Sequence, residues 1–146
     1  MIKVLIRWIR DLPDNIKWFV QRGKRGWADC DVWGMDYYLV KVIHPMLRRL
    51  RKIAHGHPCG LDTPGEWDKI LDEMIEGFEA AKRVCDDDYL DKVQPGWFDP
   101  KARLEGNYKT IKKESILECA RLSHADQKLF EQRMELFTKW FFNLWD

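Results

Sequence analysis

The run TPGEWDKILDEMIEGFEAAKRVC, residues 63–85, restricts the fold more than any other stretch of the chain. Thr63 stands where a helix cap belongs, Pro64 is preorganised for the first helical position, and Glu66 completes a capping box. Trp67, Ile70, Leu71, Met74, Ile75, Phe78 and Ala81 then recur every three or four residues, while Asp68, Asp72, Glu73, Glu76 and Glu79 occupy the other side. A helix divided in this way buries one face against other helices.

The other strong segments share that period. Ile2, Leu5, Ile6 and Ile9 predict a short amphipathic helix over residues 2–10. A second short helical turn is expected around Ile16, Trp18, Phe19 and Val20, followed by a basic loop at QRGKRGW. A long helix is expected over about residues 31–54, with Val32, Leu39, Val40, Ile43, Leu47, Leu50 and Ile53 as its core stripe and a kink at Pro45. Residues 86–109 hold two prolines and two glycines and read as an irregular connection with room for one short helix. Residues 110–122 read as a helix, and Ser123 opens another, with Asp126 in the acidic role of a capping box. Phe130, Met134, Phe137, Phe141 and Leu144 form a heptad-like seam in that last helix. No segment alternates with period two. The prediction is an all-α single domain over residues 1–146, a helical bundle of four or five main helices with a kinked central helix and an N-terminal amphipathic segment at 1–21.

Charge is unevenly spread. Residues 1–53 hold 12 Lys/Arg against 5 Asp/Glu, residues 54–100 hold 4 against 12, and residues 101–146 hold 9 against 7, for a net +1. The plain expectation is that basic and acidic helices pack side by side; steering of a partner to one face is the alternative. With a pI of about 7.7 and no recognisable nucleic-acid module, nucleic acid is not an expected partner. Cys30, Cys59, Cys85 and Cys119 are scattered, and the N-terminus has no unbroken apolar run, which points to a reducing cytoplasm. Lys3, Arg7 and Arg10 beside Trp8 fit a helix lying on a membrane. The expected segment is short, so packing onto the bundle is preferred and a membrane is not an expected partner.

Chemistry-bearing constellations are few. There is no GxSxG elbow, Walker loop or GxGxxG. His55, His57 and Cys59, with Cys30 as a remote fourth, are donors that zinc accepts, but HxHxC spacing is awkward around one tetrahedral ion. The same residues serve as a helix stop and turn, so no metal or cofactor is expected. Glu73 and Glu76 form an ExxE pair on the acidic helix, and Asp88 and Asp91 form a second pair. Two such pairs on facing helices can hold magnesium against a triphosphate. The arrangement resembles the all-α nucleotide pyrophosphohydrolases, but has Asp for Glu in the second pair, on an irregular stretch. As an alternative, the resemblance implies a magnesium-dependent enzyme using these four carboxylates; solvated surface charge is the plainer reading.

RGWADCDVWGMDYY, residues 25–38, carries three aspartates and four aromatic rings. Arg25-Gly26-Trp27-Ala28-Asp29, with Asp31, Trp33 and Asp36, resembles a small family of uncharacterised proteins in bacteriophage and prophage genomes. The likeness continues through His55-Gly56-His57-Pro58 and Glu66-Trp67-Asp68-Lys69-Ile70-Leu71 with Met74, Gly77 and Phe78, about residues 22–80 in all. It implies a viral origin and no activity. From the residues themselves, Asp29 or Asp31 is expected to cap the long helix. Asp36 is not needed as a cap, and Gly34 and Gly77 each cost about 1 kcal/mol inside a helix. These residues define a candidate ligand-binding pocket of Arg25, Asp31, Trp33, Asp36, Trp67 and Phe78. The plainer alternative is that both glycines permit tight helix packing and Trp33 is core. The functional expectation is a phage-encoded accessory protein that binds a host protein or a small nucleotide-like ligand without catalysis; a virion or assembly component is a further alternative. Trp140, Phe141, Phe142, Leu144 and Trp145 exceed what one helix face buries, so a homodimer through this C-terminal aromatic segment is also expected.

Overall fold

A computed structural model describes residues 2–98 and 110–145, with side chains from Pro13 onward. The fold is all-α, as the helical periods predict. Among the described residues the helices are α1 (Ile2–Arg25), α2 (Met35–Ile53), α3 (Pro64–Asp86), α4 (Tyr89–Val93) and α5 (Lys113–Trp140), with 3-10 turns at Asp29–Val32 and Phe141–Asn143. Backbone contacts divide the chain into two compact units, Met1–Leu39 and Val40–Asp146, so α2 contributes to both.

In the second unit, α3 is the central element. Trp67, Leu71, Met74, Phe78 and Ala81 are buried at alternating spacings of four and three, and form the core cluster with Val40 and Leu47 of α2. Phe130, Met134, Phe137 and Leu144, four of the five seam residues, pack partly buried against it. Phe78 meets Phe130 and Phe137 edge to face, at centroid separations of 5.5 and 5.2 Å. Trp67 meets Trp140 in the same way at 5.7 Å. Trp67 pairs with Trp140, Gly77 with Arg133 and Arg83 with Asp126, so α3 and α5 run antiparallel.

Gly77 sets how close those two helices come. A Cβ at this position would lie 2.4 Å from Cβ of Arg133, closer than real side chains allow. Its use is tight α3–α5 packing. Gly34 has no such neighbour; it sits in the turn before α2, where the helical penalty does not arise.

The uneven charges meet as the plain expectation requires. Arg51 of α2 reaches Asp68 and Asp72 of α3 at 3.0 and 2.9 Å, and Arg48 lies 3.9 Å from Glu79. On the other flank, Arg83 forms a bidentate pair with Asp126 of α5, which also accepts from the Tyr89 hydroxyl at 2.8 Å. The hydrogen bonds from Arg83 hold the Asp126 carboxyl below its usual range, while burial pushes the Tyr89 phenol up. This network joins α3, α4 and α5.

Several expected boundaries change. The expected helix at 2–10, second turn and basic loop are one helix to Arg25, because Ile9, Ile16, Phe19 and Val20 keep one helical phase across Pro13. The side chains of the stripe at 2–10 lie outside the described residues. The long helix begins at Met35, not near 31, after a 3-10 turn and a break at Trp33–Gly34. The two helices expected from 110 are one, Lys113–Trp140, and Asp126 binds Arg83 in place of capping a helix start. Residues 110–112 precede it, and no Pro or Gly interrupts 120–126. Of the connection at 86–109, α4 forms a short helix among the described residues, and residues 99–109 lie outside them. At the start of α3, the Glu66 carboxylate reaches back to the Asp62 N–H and the Thr63 hydroxyl, at 3.3 and 3.4 Å, while the Thr63 side chain makes no cap bond to the helix.

Candidate functional site

Helix α1 ends because Gly26 takes a left-handed φ of 82°, with its N–H returning to the Arg22 carbonyl at 2.9 Å. The chain then folds back on the polar side of α1. Asp31 accepts both Nε and Nη2 of Arg22 and the Ala28 N–H, the last at 2.8 Å. Hydrogen bonding from Arg22 lowers its carboxyl to about 2. Asp29 exchanges hydrogen bonds with Gln21, at 2.7 and 2.9 Å, and accepts from Arg25, whose bond holds its carboxyl below the ordinary range. Arg25 also donates to the Trp27 carbonyl at 3.0 Å, and its guanidinium stacks 3.8 Å from the Trp27 ring centre. The Tyr38 hydroxyl donates to the Gly26 carbonyl. Neither aspartate caps α2; both fasten the 3-10 turn to α1.

Asp36 has a local explanation that the sequence reading lacked. It lies exposed in the first turn of α2, where a negative charge favours the positive end of the helix dipole. Trp33 is not core: it is 95% exposed. Trp27, Asp31, Val32, Met35, Tyr38 and Leu39 enclose a cleft of about 280 Å³ in this first unit. Of the six residues of the expected pocket, only Asp31 lines this cleft. The acceptors of Asp31 are already occupied by Arg22 and Ala28, which leaves a mainly apolar cleft suited to an aliphatic or aromatic side chain.

Trp67 and Phe78, the other two residues of that expected pocket, are core residues of the second unit, 1% and 4% exposed. Their side chains are spent on packing α3 against its neighbours. The HGHP turn of the phage resemblance packs near this core: Gly56, His57 and Pro58 share a crevice of about 70 Å³ with Trp67, Asn143 and Trp145. Two blocks of that motif are thus explained by packing.

The carboxylate pairs are occupied by protein donors. Arg133 bonds Glu73 at 2.7 Å and Glu76 at 3.1 Å, placing a cation where the pyrophosphohydrolase reading requires a metal. Asp88 pairs with Lys92 at 2.7 Å, and Asp91 accepts from the Trp97 indole at 2.6 Å. Among the described residues, no group of three or more His, Cys, Asp or Glu side chains converges as a metal site. His57 lies against its neighbouring Pro58 carbonyl, and Cys59 is exposed.

A larger opening than these was missed by sequence reasoning. A groove of about 600 Å³ lies between α2 and the end of α5, walled by Ile43, Pro45, Met46, Leu50, Ile53, Phe137, Phe141 and Leu144, with Arg49 as its polar member. Met46 and Phe141 are more than half exposed. The surplus of C-terminal rings and the proline within α2 were its visible signals, but neither one names the opposite wall. No protein-family profile, curated protein or solved structure matches this chain.

Proposed function

We propose that this chain is a non-catalytic binding protein that receives apolar side chains of another protein in the groove between α2 and α5. The observation that carries this reading is the groove itself, which combines a volume of about 600 Å³ and an apolar lining with exposed Met46 and Phe141 among its residues. Hydrophobic sites of this size suit a helix or loop of a protein partner better than a nucleotide, which needs several uncommitted polar groups. The resemblance to phage and prophage proteins supports an accessory role toward a host protein. In the pyrophosphohydrolase alternative, Arg133 would have to leave both Glu73 and Glu76.

The test is capture from host lysate by wild-type protein and by Met46→Glu. Met46 is exposed, so the variant should keep its fold while affinity falls by about 2 kcal/mol, roughly thirtyfold in Kd. Equal capture by both would overturn the groove as the site. Magnesium-dependent turnover of a nucleoside triphosphate, lost in Glu76→Gln, would overturn the non-catalytic reading.

Self-association is a second reading with its own observation. Phe142 is 88% exposed and Trp145 68% exposed, immediately beyond α5. Two such rings next to an apolar groove provide both the projection and the recess of a self-complementary interface. Light scattering should then show a dimer at micromolar concentration and a monomer for Phe142→Ser/Trp145→Ser; a wild-type monomer would contradict it.

A further inference from the structure

Helix α1 carries a surface that the groove does not explain. At 24 residues it is far longer than the 2–10 segment whose shortness argued against a membrane role. Seven Lys/Arg against two Asp in this helix give a net charge of +5. Its apolar positions Ile9, Ile16, Phe19 and Val20 follow a single helical phase, and Ile2 and Leu5 precede Ile9 by seven and four residues. The 3-10 turn occupies the polar side of α1, through Gln21, Arg22 and Arg25. The opposite side is left open within this unit: Phe19 is 78% exposed, Ile16 56% and Val20 44%.

Charge placement bears on what that face suits. At 100° per residue, Lys24 and Lys17 fall on one border of the apolar stripe, and Arg10 stands seven residues before Lys17. Asp29 and Asp31 answer Arg25 and Arg22, farther round the polar side. Lys24 is exposed and makes no ion pair among the described residues, while Lys17 is exposed and only 3.9 Å from Asp29. Apolar side chains bordered by exposed lysines are what an anionic bilayer surface recognises: the rings and branched chains enter the acyl boundary and the ammonium groups meet lipid phosphates. No helix of the described residues is long and apolar enough to cross a membrane, and the nine charges of α1 keep it in the plane of the interface.

We propose that α1 binds the surface of an anionic lipid bilayer through Ile16, Phe19 and Val20, with Lys17 and Lys24 on the headgroups. The test is flotation of the full chain with phosphatidylcholine vesicles, with and without phosphatidylglycerol, at low and high salt. The protein should float only with anionic vesicles and be released by salt. Ile16→Glu/Phe19→Glu should remain behind with an unchanged helical circular dichroism spectrum. Lys24→Gln, a surface change that leaves the apolar face intact, should weaken binding about fivefold. Wild-type protein that fails to float with anionic vesicles, or a double variant that floats equally well, overturns the proposal. So does a lipid-free dimer that the double variant converts to monomer, which would assign this face to a second copy of the chain. None of these outcomes bears on the α2–α5 groove.

Discussion

Gly77 shows how one residue can be legible in sequence and still be misread. Its helical cost signals close approach, and the approaching group is Arg133 of α5, not a ligand. Gly77→Ala should lower stability by about 2 kcal/mol in urea unfolding, because the added methyl must push two packed helices apart. Gly34→Ala, with its nearest contact at 4.0 Å, should change stability by less than about 0.5 kcal/mol. Equal effects would contradict the packing assignment. Asp31 gives a second residue-level test. Its carboxyl is lowered to about 2 by Arg22, so it binds protons less readily folded than unfolded. The stability it contributes is therefore complete above the ordinary carboxylate range and fades as pH falls from there through about 2. Carboxyl NMR should place its midpoint near 2, and Arg22→Gln should raise it toward the ordinary carboxylate range; an unmoved midpoint would remove Arg22 as the cause. Sequence proximity identified Asp31 as special, but its partner lies nine residues back on α1, a relation that only the reversal at Gly26 creates.

Elements were readable where apolar spacing was unbroken. The Pro64–Asp86 helix was predicted almost to its ends, and the α5 seam named four of the residues that pack on it. Errors arose where a punctuating residue outweighed the phase around it. Pro13 and Gly23 argued for breaks, yet α1 runs through both; Ser123 resembled a cap, yet it lies inside α5, where its hydroxyl accepts from Gln127. The reassignment of Asp126 can be checked at this scale. Asp126→Asn removes the charge facing Arg83 and weakens the acceptor for Tyr89, at a joint of three helices. Because the Arg83 side chain is 41% exposed, solvent screening limits the cost to about 1 kcal/mol. The Asp126 carboxyl is held below its usual range, so the wild-type advantage should be present at neutral pH and shrink once acid protonates it. A difference that stays constant from neutral to strongly acid pH would rule out the ion pair as its source.

For the whole molecule, the all-α fold was legible because nearly every segment repeats its apolar residues at helical intervals. The candidate site was not, because its walls are far apart in sequence. Met46 and Phe141 meet at one groove only after α5 folds back along α3, and no local motif encodes that meeting. Conversely, the conspicuous motif at 25–38 is largely spent on holding its own turn to α1. Whether this groove receives another protein is read most directly with a photoreactive amino acid placed at Met46 in cells expressing the chain, with exposed Lys128 of α5 as the control position. One dominant protein should be crosslinked from Met46 and absent from Lys128. Crosslinks of equal pattern from both positions, or none from Met46, would contradict the proposed role of the groove.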